Sequence, residues 1–259
     1  MDALCKLALA QLAEGNLGEG EATVQIALRK DPKHANARYL AVRLALAKEE
    51  HDAAKKLLDQ MVADGQDGYA VRMKLADIAE AKKDEEAMKE HLHAAYKLDT
   101  SQAEPLQALY DLAHEAKDEQ GQLWALRNLS LLDQHDRRVW RRLLALLVES
   151  GKWKEARKVG ESAIYVDVTN PEMHWLYGRA LARTGNHISA IYEMNSALIA
   201  RPKPKRAAEI YRAMASGYEK LGRKDYAERC EKYAKEMESL GGPPEEEAEA
   251  SLPLRAAPN

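Results

Sequence analysis

At 259 residues the chain has the length of one or two globular domains, yet its richness in Ala, Leu, Glu, Lys and Arg and its lack of phenylalanine argue against a sheet. A net charge of -3 and a pI near 6.3 argue against a general nucleic-acid binder. No apolar run approaches the roughly 18–20 residues that a membrane-crossing helix needs, so membrane insertion is not expected.

The N-terminal stretch MDALCKLALAQLA lacks a basic n-region and a clear cleavage site, and it reads as mature helix in a soluble, cytoplasmic chain. From there the sequence repeats. Gly15 and Ala27 recur as Gly151 and Ala163 and again as Gly185 and Ala197, Ala156 and Ala190 share a further position, and Pro32 recurs as Pro202. Repeats begin at Met1, Ala35, Tyr69, Ala103, Arg137, Pro171 and Ala208, in five steps of 34 residues and one of 37. The three extra residues are assigned to a loop at Pro202-Lys203-Pro204-Lys205, where two prolines oppose helix continuation. Small side chains at positions 8 and 20 let the two helices of a hairpin approach, and position 27 does the same toward the next repeat. Glycine at position 15 takes the left-handed conformation that ends the first helix. A period of 34 with small residues at fixed offsets predicts an all-α array of helix-turn-helix units over residues 1–239. From Ser239 the apolar period stops, and 240–259, with paired glycines, paired prolines and an acidic run, read as a disordered tail or linker.

Those residues resemble the tetratricopeptide repeat. The first repeat has Leu4, Ala8, Gly15, Gly20, Ala27 and Pro32 at the family's positions; the sixth has Gly178, Gly185, Ala190, Ala197 and Pro202; the seventh has Tyr211, Ala215, Gly222, Ala227 and Ala234. The fifth matches at Trp140, Gly151, Ala156 and Ala163 but has Leu144 at position 8. The second departs at Val42, Glu49 and Met61, and the third at Met88. The fourth, with Tyr110, Lys117, Gln122 and Leu129, is assigned from phase alone. The resemblance implies an α-solenoid, a right-handed superhelix of about seven repeats whose first helices line a concave surface.

No catalytic or metal-binding motif appears. His91 and His93 are two apart on a helix and point to different faces, and the other six histidines are scattered singly. Cys5 and Cys230 belong to the first and last repeats and read as free thiols, as in a reducing compartment. No cofactor is expected.

In the family, positions 2, 5, 6, 9, 12 and 13 of the first helices face the groove. Here they give Asp77, Glu80, Glu104, Asp111 and Glu115 in repeats 3 and 4, then Arg138, Arg141, Arg142, Trp175, Arg179, Arg183 and Arg212 in repeats 5 to 7. Arginines around an exposed tryptophan suit bidentate capture of carboxylates with an aromatic anchor alongside. The expected function is therefore a non-catalytic protein-interaction scaffold holding a peptide, with an acidic or C-terminal segment favoured at the arginine-rich half. The alternative is the regulatory or substrate-presenting portion of a larger enzyme. RNA binding by the arginines is disfavoured by the acidic middle. Self-association through Leu4, Leu7, Leu9 and Leu12 is a further expectation. The carboxylate clamp of heat-shock co-chaperones is not expected, since Ala108 stands where that motif needs asparagine ahead of Arg138 and Arg142.

Overall fold

The computed structural model describes residues 1–240, which form fourteen helices. The chain divides within α7 (Glu104–Glu115) into two compact units, Met1–Leu112 and Ala113 onward. The first unit contains three hairpins: α1 (Asp2–Ala13) with α2 (Leu17–Lys30), α3 (Ala35–Ala47) with α4 (His51–Ala63), and α5 (Tyr69–Ala81) with α6 (Glu85–Leu98). The second holds α8 (Glu119–Leu132), α9 (Arg137–Glu149), α10 (Trp153–Val166), α11 (Pro171–Arg183), α12 (His187–Ile199), α13 (Pro204–Lys220) and α14 (Lys224–Leu240). The acidic tail expected over 240–259 lies, beyond Leu240, outside the described residues.

The repeat shows in the backbone. Position 15 has positive φ in every unit: Gly15 (80°), Glu49 (60°), Lys83 (57°), Lys117 (54°), Gly151 (68°), Gly185 (87°) and Gly222 (72°). The following amide then donates to the carbonyl five residues back, as in Asn16 to Gln11, Asp84 to Ala79, Asp118 to Ala113 and Asn186 to Leu181, at 2.8–2.9 Å. This closure satisfies carbonyls that the end of the helix leaves open. Side-chain caps start several helices: Asp84 accepts from the Ala87 amide, Asp136 from Arg138 and Val139, and Asn170 from Glu172 and Met173.

Positions 8, 20 and 27 are buried in every unit, including those filled by Val42, Met61, Met88, Tyr110, Gln122, Leu129 and Leu144. In the first unit, Cys5, Ala8, Val24, Ala27, Ala37 and Leu40 form one core cluster and Val42, Ala54, Leu58, Met61, Val71 and Ile78 belong to another. Leu4 and Leu12 pack against the first of these, while Leu7 and Leu9 remain exposed. In the second unit, Trp175, Leu181, Ile191, Met194, Ile210 and Met214 share a cluster between α11, α12 and α13. Cys5 and Cys230 are buried free thiols.

Of the loop expected for the long sixth step, Pro202 and Lys203 lie between helices, but the three extra residues do not lengthen it. Pro204 begins α13, and the insertion becomes an extra helical turn. Proline suits that first position because its φ is preset and its missing N–H would have had no helical partner.

Candidate functional site

In the second unit α11 packs beside both α9 and α13, while α10 bridges α9 and α11 and α12 bridges α11 and α13. The Asn170 carboxamide sets the start of α11, its Oδ1 accepting from the Glu172 and Met173 amides at 3.0 and 3.3 Å. From that start, Trp175, Arg179 and Arg183 follow at four-residue spacing along one stripe of the helix.

Around this stripe cations and aromatic rings alternate. The Arg183 guanidinium lies 5.4 Å from the centre of the Trp153 ring, and Arg179 lies 6.0 Å from Trp153 and 5.5 Å from Trp175. Arg206, from the extra turn of α13, lies 5.8 Å from the other indole, Trp175. Such pairs attract through the ring quadrupole by about 0.5–1 kcal/mol when exposed and about 2 when desolvated. Arg206 also holds two acids, with its Nε 3.1 Å from Glu172 and a guanidinium nitrogen on Glu209. Arg179 and Arg183 have no ion pair among the described residues. Burial, then the neighbouring Arg206, lower the Arg179 pKa against the pull of Glu172, yet the group stays charged at neutral pH.

Trp175 corrects one expectation. It is 6 % exposed, because α12 and the lengthened α13 cover it, and its indole N–H is buried without an acceptor. An orphaned buried donor costs about 1–3 kcal/mol. The other expected residues lie on α9 and α13. Arg138 pairs with Asp136, its own helix cap, at 3.2 Å. Arg212 pairs with Glu238 of α14. Arg141 and Arg142 are half-buried on α9. Two members of the ladder, Trp153 and Arg206, escape a reading of first-helix positions. Trp153 opens a second helix, and Arg206 falls between the loop expected at Pro202–Lys205 and the start of the seventh repeat at Ala208. Pro204, taken as a helix-start signal, was the available clue to Arg206.

The histidines offer little chemistry. His174 is closed into the core, with Nδ1 2.7 Å from Glu193 Oε2 and Nε2 2.7 Å from the Val168 carbonyl. Among the described residues no group of three His, Cys, Asp or Glu side chains could hold a metal, and no helix is long and apolar enough to cross a membrane. In the first unit the Tyr69 hydroxyl donates to Glu104, and burial, with that carboxylate, pushes its pKa up to about 12.

The comparisons bear on the repeat rather than on the ladder. The tetratricopeptide repeat family matches twice, over residues 11–78 and 142–207. No curated protein sequence matches the chain. A crystal structure of MamA protein resembles it at 19% identity and a TM-score of 0.53, covering 73% of this chain and 98% of that one. MamA (41 to the end) from Desulfovibrio magneticus RS-1 is similar at 14% identity and a TM-score of 0.50, covering 66% and 96%. A chain of Naa15/Naa10 bound to HypK-THB is similar at 16% identity and a TM-score of 0.65, covering 88% of this chain but only 35% of that one. Identities this low speak for fold alone. With the backbone closure at position 15 in all seven units and two matched stretches, the chain belongs to the tetratricopeptide repeat family, whose repeats serve as protein-interaction scaffolds.

Proposed function

We propose that the chain is a non-catalytic scaffold that holds an acidic peptide segment on its arginine–tryptophan ladder. What supports the reading is the state of Arg179 and Arg183: each faces an indole, and neither has a carboxylate partner among the described residues. A guanidinium laid on a ring still presents its edge, from which two parallel N–H groups reach one carboxylate. An incoming glutamate or aspartate supplies the missing charge, and the half-buried setting of Arg179 weakens solvent screening of the pair.

The test is fluorescence-anisotropy titration of a labelled glutamate-rich peptide against the wild-type chain and the R179E/R183E variant. Charge reversal should weaken binding at least about tenfold, which is about 1.4 kcal/mol, with the helical circular dichroism unchanged. R141E extends the test to α9. Equal affinity for wild type and R179E/R183E would remove the proposal.

A further inference from the structure

We infer that the chain carries its own ligand for this site: the acidic run Glu245-Glu246-Glu247-Ala248-Glu249 docks on the arginine–tryptophan ladder and competes with partner peptides. The inference rests on the acidic-segment reading above and adds the identity of a competing occupant.

Charge, departure point and reach all favour it. The run places four carboxylates within five residues, opposite a stripe on which Arg179 and Arg183 lack partners among the described residues. Its departure point is fixed by α14, which runs to Leu240 and whose Glu238 is ion-paired with Arg212 of α13. The last turn of α14 is thereby tied to the middle of α13. Arg206 lies six residues before Arg212 on that helix, a rise of about 9 Å. Arg206 and Arg179 face the same indole, at 5.8 and 5.5 Å, so their guanidiniums are separated by no more than about 11 Å.

Five to nine residues beyond Leu240 span at most about 17–32 Å when extended, and the two legs add to about 20 Å, within the reach of Glu247 and Glu249. A ligand on so short a tether acts at an effective concentration in the millimolar range. An untethered peptide of similar chemistry must outcompete that, so the affinity measured on the intact chain understates what the ladder can bind.

The experiment uses the full chain with Glu245, Glu246, Glu247 and Glu249 all changed to Gln, beside wild type. The probe is a fluorescein-labelled peptide of sequence PPEEEAEAS, titrated at low salt. The Gln-tail chain should bind it at least about tenfold more tightly than wild type. R179E/R183E in the Gln-tail background should abolish the gain. Without any peptide, the Trp153 and Trp175 indole N–H resonances should differ between the two chains. Equal affinity and identical indole resonances overturn the inference alone, provided R179E/R183E still weakens peptide binding. A Gln-tail chain that binds no peptide overturns the inference together with the reading beneath it.

Discussion

The ring of Tyr177 on α11 lies against the backbone of Gly160 on α10, so closely that a Cβ at position 160 would stand 2.3 Å from Tyr177 Cδ2 and 3.0 Å from its Cβ. The second distance matters more. A ring can swing, but the root of a side chain moves only with its helix, so Gly160→Ala must separate α10 from α11. Overpacking of this kind costs about 1–3 kcal/mol, more than the gain of up to about 1 kcal/mol from alanine's helix propensity. Gly18→Ala on α2, where nothing lies within 4 Å, gains propensity without the clash. Denaturant titration should show Gly160→Ala less stable than wild type and Gly18→Ala equal or slightly more stable. The opposite order would refute the close approach.

His174 gives a pH dependence of definite sign. Its hydrogen bond to Glu193, opposed by burial and helped by the Val168 carbonyl, raises its pKa above the ordinary value of 6.5. Protons are thus held more tightly in the folded state. The stabilisation is fully present below pH 6.5 and is lost as pH rises through the higher folded value. His91 and His93, in the first unit, have pKa values lowered mainly by burial and contribute the other way, losing stabilisation as pH falls below 6.5. The variant H174L/E193L removes the pair together and leaves no lone buried charge. Thermal melts between pH 6 and pH 8.5 should show a smaller loss of stability on alkalinisation in this variant than in wild type. Parallel profiles would remove His174 from the account.

Much of the fold was legible because helix packing constrains side-chain size and backbone conformation at fixed intervals. The regular turn kept its phase where the residue type failed, at Glu49, Lys83 and Lys117. In the fourth unit the close approach moves by one residue. A Cβ on Gly121 would meet that of Ala113 at 2.9 Å, while Gln122 at the expected position folds its amide onto the Ala113 carbonyl at 3.3 Å. The site was less legible. Assigning Trp175 to an open surface overlooks its cover by Ile191 and Met194 of α12 and Ile210 and Met214 of α13, with Arg206 of the early turn over its ring. The same turn delivers Arg206 to the ladder.

The left-handed residues also predict a gain. Lys83 and Lys117 hold φ near 57° and 54°, where a Cβ crowds the following carbonyl at a cost of about 1–2 kcal/mol. Glycine removes that crowding but gives back part of the gain through the greater freedom of the unfolded chain. Lys83→Gly and Lys117→Gly should each stabilise their unit by about 0.5–1 kcal/mol, read as a higher denaturation midpoint with an unchanged slope. A fall in the midpoint would show that the lysine side chains stabilise more than their backbone costs.

Arg179 separates shape from charge. If the ladder recognised only positive charge, Arg179→Lys would bind an acidic peptide as well as wild type, since both carry one charge at neutral pH. The geometry gives another expectation. The guanidinium lies between two indoles, 6.0 Å from Trp153 and 5.5 Å from Trp175, and a lysine ammonium offers neither a flat face to the rings nor a fork to the carboxylate. Losing the fork and part of the ring contact should weaken binding by about three- to tenfold, or about 0.7–1.4 kcal/mol. Arg179→Glu should lose more, because it adds repulsion. Raising the salt to about 1 M, where the screening length falls to about 3 Å, should compress the penalty of Arg179→Glu more than that of Arg179→Lys. Isothermal titration of the three chains at two salt concentrations reads both effects, and a lysine variant equal to wild type would reduce the ladder to a patch of charge.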